Sequence, residues 1–240
     1  MKAVKIIEPN NLQIVDMDVP VLDDKFNVLV KMTASGICGS DVGIYHGTNA
    51  AATYPRVIGH EIVGVVHEVG EGVTKVKVGD RVIIDQVLPC GHCYACRKGR
   101  PNVCGNLKVR GVHIDGGYRE FIAVNESDCY HLPDFLSDTD AVMIEPTTIA
   151  VQCCSRAELE EEDTVMIIGA GALGSSILRI VKLHNPKKII VCDIDESKLK
   201  EALANGATDV INSKTEDVAA RSKELTEGYG PTVTIDAACV

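Results

Sequence analysis

The sequence predicts a chain in two parts, a partly open β-barrel followed by an α/β unit on a parallel sheet. Three observations predict it. Short apolar runs separated by Gly, Asp and Pro fill the first 148 residues. Strands and helices then alternate to the end. Gly169 to Gly174 reads G-x-G-x-x-G at a strand-to-helix turn. The expected domains are 1–148 and 149–240.

In the first part the runs FNVLVKM (26–32), EIVGVVHEV (61–69), RVIIDQV (81–87) and YREFIAV (118–124) read as strands. Gly79-Asp80 is a tight turn feeding the third of them. After Glu145-Pro146 the pattern changes. Residues 147–157 read as a helix, and 158–163 as a charged surface connection. TVMIIGA (164–170) is a buried strand. Gly171–His184 is a helix with Leu173, Ile177, Ile180 and Val181 on one face. KKIIVCD (187–193), TDVINS (208–213) and TVTIDAA (232–238) continue the strands, with helices over Glu196–Asn205 and Asp217–Thr226. Four strands are present where a dinucleotide-binding sheet of this class has about six. The second domain is therefore expected to be a truncated one, and the chain a piece of a longer protein.

Composition excludes several function classes. A net charge of −10 argues against nucleic acid or an anionic membrane as the main partner. The one basic knot, Arg97-Lys98-Gly99-Arg100, is too short to track phosphates. No stretch reads as a membrane span, and MKAVKIIEPN lacks the features of a secretory signal. The expected compartment is the cytoplasm, where thiols stay reduced. Ten cysteines there imply metal ligands plus buried thiols. Cys129, Cys153, Cys154, Cys192 and Cys239 read as small core residues.

The glycine turn stands in the context that its chemistry requires. Gly169 allows the tight turn, and Gly171 lets the amides of the helix start, at Ala172 and Leu173, approach a pyrophosphate. Gly174 permits close packing of helix on strand. Asp193 ends the next strand, 19 residues after Gly174, where a carboxylate accepts the ribose hydroxyls of NAD. Asp195 and Glu196 add negative charge that repels the extra phosphate of NADP.

Two clusters suggest metal. Cys90, Cys93, Cys96 and Cys104 are spaced C-x2-C-x2-C-x7-C. An iron–sulfur run of the ferredoxin kind wants the fourth cysteine sooner, followed by proline. Disulfides are disfavoured in the cytoplasm. Four thiolates with no open position describe a structural zinc. Cys38 in CGSD and His60-Glu61 after Gly59 offer a thiol, an imidazole and a carboxylate. That set can leave a position open, as a catalytic zinc needs.

Gly59-His60-Glu61-x2-Gly64-x5-Gly70-x2-Val73 resembles the zinc signature of the medium-chain alcohol and polyol dehydrogenases. CGSD at 38–41, VGDRV at 78–82, the four-cysteine lobe and GAGALG at 169–174 match that family in order and spacing. YPRVIGHE (54–61), GVHIDGGYREF (111–121) and VMIEPTTIA (142–150) look most like its sugar-acid and polyol branch. The resemblance covers the whole chain and implies a GroES-like barrel ahead of a Rossmann domain. It implies one catalytic and one structural zinc, NAD, a small polyol or sugar-acid substrate, and a homodimer or homotetramer for the full-length form.

Site roles follow from the same resemblance. Cys38 and His60 are similar to the two fixed ligands of the catalytic zinc. Glu61 matches a third ligand, and Glu145 an acid that binds the metal or holds its water. Ser40 resembles the hydroxyl that takes the substrate proton, and Asp41 the carboxylate that fixes the His60 tautomer. One position departs from the family: Gly43 stands where a relay histidine is usual, and His46 lies three residues further on. Arg56 and Arg119 are candidates for pairing a substrate carboxylate, and His113 and Asp115 for binding hydroxyls. Two alternatives compete with a dehydrogenase: a catalytically silent fragment or regulatory paralogue, and a zinc-finger-like module on the 90–104 lobe. The acidic charge disfavours the module.

Overall fold

The computed structural model describes residues 1–238. Cys239, expected to be a core thiol, and Val240 lie outside the described residues. The chain divides into two compact units, Met1–Met143 and Ile144–Val240.

The first unit holds strands β1 (Lys2–Glu8), β2 (Asn11–Asp16) and β3 (Val28–Ser35), helix α1 (Gly39–His46), then β4 (Arg56–Val57), β5 (Ile62–Val69), β6 (Arg81–Ile84) and β7 (Val87–Leu88). Helix α2 (Tyr94–Arg97), β8 (Lys108–Val109), β9 (Phe121–Val124), β10 (Cys129–His131) and α3 (Asp138–Ala141) complete it. A five-stranded antiparallel sheet runs β10-β6-β5-β3-β9, beside a three-stranded sheet β2-β1-β4. The larger sheet curls over Val28, Val30, Ile62, Val66, Val82, Ile84, Ile122 and Val124, all buried. Alternation along β3 and β9 sends these side chains to one face, which fixes their register.

Three elements depart from the sequence expectation. The β1–β2 hairpin was not expected as a pair of strands. Its turn places Asn10 at φ 63°, a conformation that asparagine tolerates better than most residues. Residues 39–46, for which the sequence reading has no helix, form helix α1. Its first turn is held by Asp41, which accepts from the Cys38 N–H at 3.0 Å, and its end by Gly47 in the left-handed region. Ile44 anchors it, packed with Ile6 and Ile58.

The second unit is a parallel sheet of order β13-β12-β11-β14. Its strands are β11 (Thr164–Ile168), β12 (Lys188–Asp193), β13 (Asp209–Asn212) and β14 (Val233–Asp236). Its helices are α4 (Ile144–Ala157), α5 (Ala172–Leu183), α6 (Glu196–Asn205) and α7 (Val218–Leu225). Every element expected after residue 146 is present, with ends shifted by a few residues. Val165 and Ile167 point to one face with Ile177, Leu178 and Val181 of α5. Met166, Ile190, Cys192 and Ile211 fill the other face, with Val218 and Leu225 of α7 against them. Burial of both faces explains why these strands read as unbroken apolar runs. Cys129, Cys154 and Cys192 are core residues as expected, and Cys153 packs at the core's edge.

Gly174 is where α5 meets the strand that feeds it. A Cβ there would collide with the Gly169 carbonyl oxygen, a backbone atom that cannot turn aside. Gly174→Ala should therefore destabilise the second unit by about 3 kcal/mol. Thermal unfolding followed by circular dichroism checks this, and an unchanged melting temperature would contradict the packing.

Candidate functional site

Strands β3 and β5 bring the first cluster together. Their antiparallel register ends with Ser35 opposite Ile62, so the chain leaving β3 runs beside the chain entering β5. Cys38 lies three residues past β3, and His60-Glu61 stand immediately before β5. The register slips between Met32 and Ala34, and such bulges re-aim a strand near its end. Gly36 donates its N–H to the Glu61 carbonyl at 2.8 Å. The Glu61 carboxylate occupies the space that a Cβ at position 36 would fill. Only glycine at 36 leaves room for it.

The outcome is a set of three donors. One ligand atom each from Cys38, His60 and Glu61 lies within 4.8 Å of the others, and His60 and Glu61 are buried. Thiolate, imidazole and carboxylate at that spacing suit a zinc ion with an open position. The residues thus fit the metal on geometry and on donor chemistry. Electrostatics agree. The hydrogen bond from His60 lowers the Cys38 pKa, favouring the thiolate. Burial opposes a charge on His60, yet Asp41 and Cys38 outweigh it and raise its pKa to about 10. Two anionic groups therefore surround the imidazole, and a metal ion bound there would take the place of its proton. Burial pushes the Glu61 carboxyl upward.

Behind His60 stands Asp41, 2 % exposed. Its Oδ1 lies 3.4 Å from His60 Nδ1, off the line of a good hydrogen bond, and leaves Nε2 to face the cluster. Asp41 also accepts from the Gly59 N–H at 3.3 Å and from the Tyr118 hydroxyl at 3.0 Å. Burial works against the Asp41 carboxylate, but His60, the Cys38 amide and the Tyr118 hydroxyl win and its pKa falls. Tyr118 donates to the Gly36 carbonyl as well, at 2.7 Å. Sequence reading missed both Gly36 and Tyr118. Tyr118 lies 77 residues from Asp41 and carried no spacing signal. Ser40 Oγ stands 3.5 Å from His60 Nε2.

Glu145 lies in the second unit, in the first turn of α4. His46 Nδ1 is 3.0 Å from Asn10 Oδ1, at the hairpin turn. Asp115, a candidate for binding hydroxyls, is already taken: its Oδ1 accepts from Arg56 Nη1 and from the Val57 N–H, each at 3.1 Å. Arg56 is a structural arginine for the same reason. His113 Nδ1 accepts from the Val109 N–H at 3.0 Å, which fixes its loop.

The second cluster gathers Cys90, Cys93, Cys96 and Cys104 into one group of donors, all free thiols. Cys93 Sγ lies 3.5 Å from Cys96 Sγ and 3.7 Å from Cys104 Sγ. Backbone amides converge on the sulfurs, from Cys90 and Asn106 to Cys104 and from Cys93 to Cys90. The Cys96 and Gly105 amides chiefly bring the Cys93 thiol down to about 6. Amides aimed at sulfur favour thiolates, the form that binds zinc.

In the second unit, Gly169 takes φ 94° and Gly171 caps α5 with open space beside it. Leu173 packs against the core, so only its backbone faces that space. Asp193 ends β12 and accepts from Ala170 N–H at 2.6 Å and Asp195 N–H at 2.9 Å. Burial raises the Asp193 pKa, but these two amides outweigh it and the carboxyl ends below its usual value. The carboxylate is thereby locked beside the glycine turn. This open cradle fits a dinucleotide.

Residues 24–134 match the alcohol dehydrogenase GroES-like domain, and residues 172–240 match the zinc-binding dehydrogenase domain. The chain is 44% identical over 240 residues to starvation-sensing protein RspB of Escherichia coli K12, covering all of this chain and 70% of that protein. It is 32% identical over 234 residues to sorbitol dehydrogenase of Bacillus subtilis, covering 96% of this chain and 66% of that one. The crystal structure of the RspB alcohol dehydrogenase of Escherichia coli CFT073, complexed with NADH, superposes with a TM-score of 0.93 at 43% identity. That match covers all of this chain and 70% of the other. The chain belongs to the zinc-dependent medium-chain alcohol and polyol dehydrogenases, oxidoreductases that act on CH–OH groups.

Proposed function

We propose that this chain serves the NAD-dependent oxidation of a secondary alcohol in a polyol or sugar acid. The observation that carries the reading is the Cys38, His60 and Glu61 donor set, with its ligand atoms within 4.8 Å of one another. When bound, a zinc ion and a nicotinamide supply polarisation of the alcohol oxygen and acceptance of the hydride. The chain's own residues do the rest. Cys38, His60 and Glu61 hold the metal, with Glu145 as a further carboxylate for it or its water. Cys90, Cys93, Cys96 and Cys104 hold a second, structural ion. Asp41 orients the imidazole.

Ser40 Oγ takes the hydroxyl proton. With Gly43 at the usual relay position and His46 engaged by Asn10, that proton passes from Ser40 to solvent. Gly169, Gly171, Ala172, Leu173 and Gly174 seat the pyrophosphate on backbone amides, and Asp193 takes the ribose. The acidic Asp195 beside it favours NAD over NADP. Sorbitol dehydrogenase among the relatives supports a polyol, and the RspB structure with NADH supports NAD. Cytoplasmic residence and assembly into a homodimer or homotetramer belong to the same reading. Among the described residues, no helix is long and apolar enough to cross a membrane.

The test is NAD+ reduction by the full-length form on a panel of hexitols, hexonates and threonine, the 240-residue chain itself being expected to turn over much less. Turnover on a polyol or sugar acid is the expected result; none on any of them overturns the substrate class. Asp193→Asn should shrink the preference for NAD over NADP about tenfold, since the ribose loses a charged acceptor. The ratio of kcat/KM for the two cofactors measures it, and an unaltered ratio rejects Asp193 as the ribose ligand.

A further inference from the structure

Three arginines crowd one side of the first unit, and their partners differ. Arg56 is paired with Asp115 at 3.1 Å. Arg110, 1% exposed, is paired with Asp128 at 2.7 Å and lies over the Phe26 ring. Arg119 has no ion pair among the described residues. Its Nε is buried and has no hydrogen-bond partner. Burial, the largest influence on this guanidinium, lowers its pKa to about 10. Arg119 as a whole is half-buried, and a buried guanidinium nitrogen without an acceptor is costly. Asp115 contributes favourable charge to Arg119, but the Oδ1 of Asp115 is already committed to Arg56 and the Val57 amide.

Arg119 also lines a cavity. A space of about 220 Å³ is bounded by Pro20, Val21, Phe26, Ile114 and Ala123, with Arg110, Asp115 and Arg119 at its polar side. None of these residues belongs to either metal cluster or to the glycine turn. The volume falls below the roughly 300 Å³ at which pockets for drug-sized ligands begin, so the occupant is small. The apolar lining, Phe26, Ile114 and Ala123 above all, favours an alkyl group, and the guanidinium of Arg119 favours a single planar anion. Inorganic phosphate offers no apolar part to this lining.

We infer that the Arg119 cavity is a binding site for a small organic carboxylate with a short alkyl tail, seated with its oxygens on Arg119 and its tail against Phe26 and Ile114. The site is separate from the alcohol-binding chemistry and does not depend on it.

Ligand-observed NMR titration of the zinc-loaded 240-residue chain with propionate and butyrate tests the assignment. Both should bind, butyrate the more tightly because it buries one more methylene. Arg119→Met should weaken binding by more than about tenfold, the usual cost of losing a charged hydrogen-bond donor. Val21→Asp covers the case in which that variant misfolds. Val21 is 87% exposed, so folding tolerates the change, while the new charge at the rim repels the ligand. No binding by the parent chain overturns the site. Undiminished binding in a folded Arg119→Met or Val21→Asp chain overturns it as well. Phosphate binding as tightly as butyrate overturns the carboxylate assignment.

Discussion

His60→Ala will empty the Cys38–His60–Glu61 site and end turnover. The imidazole is the central donor of the set, and its Nδ1 side rests on Asp41. Removing it leaves a thiol and a carboxylate, too few to hold zinc against water. It also removes the imidazole that faces the buried Asp41 carboxylate at 3.4 Å. Metal analysis should fall from about two zinc ions per chain to about one, the structural ion remaining. Turnover should fall by about three orders of magnitude, because the polarisation that the metal supplies is worth several kcal/mol. Unchanged zinc content or unchanged turnover would each reject the site. The two readouts fail separately. Lost zinc with preserved turnover would keep the metal site and discard its catalytic role.

Much of this site was legible in the sequence because its chemistry lives in short runs. CGSD, GHE and GAGALG each sit at a strand end, where the local pattern already marks the turn. The long second-unit helices were equally plain, since α5 repeats its apolar residues at helical spacing over twelve residues. Helix α1 was not. Gly39 and Gly43 lower its propensity, and what holds it is tertiary: the Asp41 cap and Ile44 packed on Ile6 and Ile58. Tyr118 was hidden for the same reason. Its hydrogen bonds to Gly36 and Asp41 span 82 and 77 residues. Arg56 and Asp115 read as possible substrate ligands because sequence cannot reveal that they satisfy each other across 59 residues. Arg119 is the converse case, a residue whose interest lies in a partner it lacks.

Chelating the ion held by Cys90, Cys93, Cys96 and Cys104, or replacing Cys104 with serine, will melt residues 88–107 while leaving the barrel folded. The lobe has almost nothing else to hold it. Helix α2 has four residues and none of them buried. Tyr94 and Val103 are 72% and 61% exposed, so the lobe's large apolar side chains point to water. Cys104, 7% exposed, is the one buried member of the four, and its sulfur gathers amides from both arms of the loop. Metal binding in such a site supplies on the order of 10 kcal/mol, far more than these contacts. The barrel stands on Val28, Val30, Ile62, Val82 and Ile122, none of which touches the lobe's sulfurs. Hydrogen exchange should therefore lose protection at residues 88–107 after chelation and keep it in β3 and β5. Protection of the lobe that survives metal removal would show that the four cysteines do not clip it, and a collapse of β3 and β5 along with it would show that the lobe and the barrel are one cooperative unit.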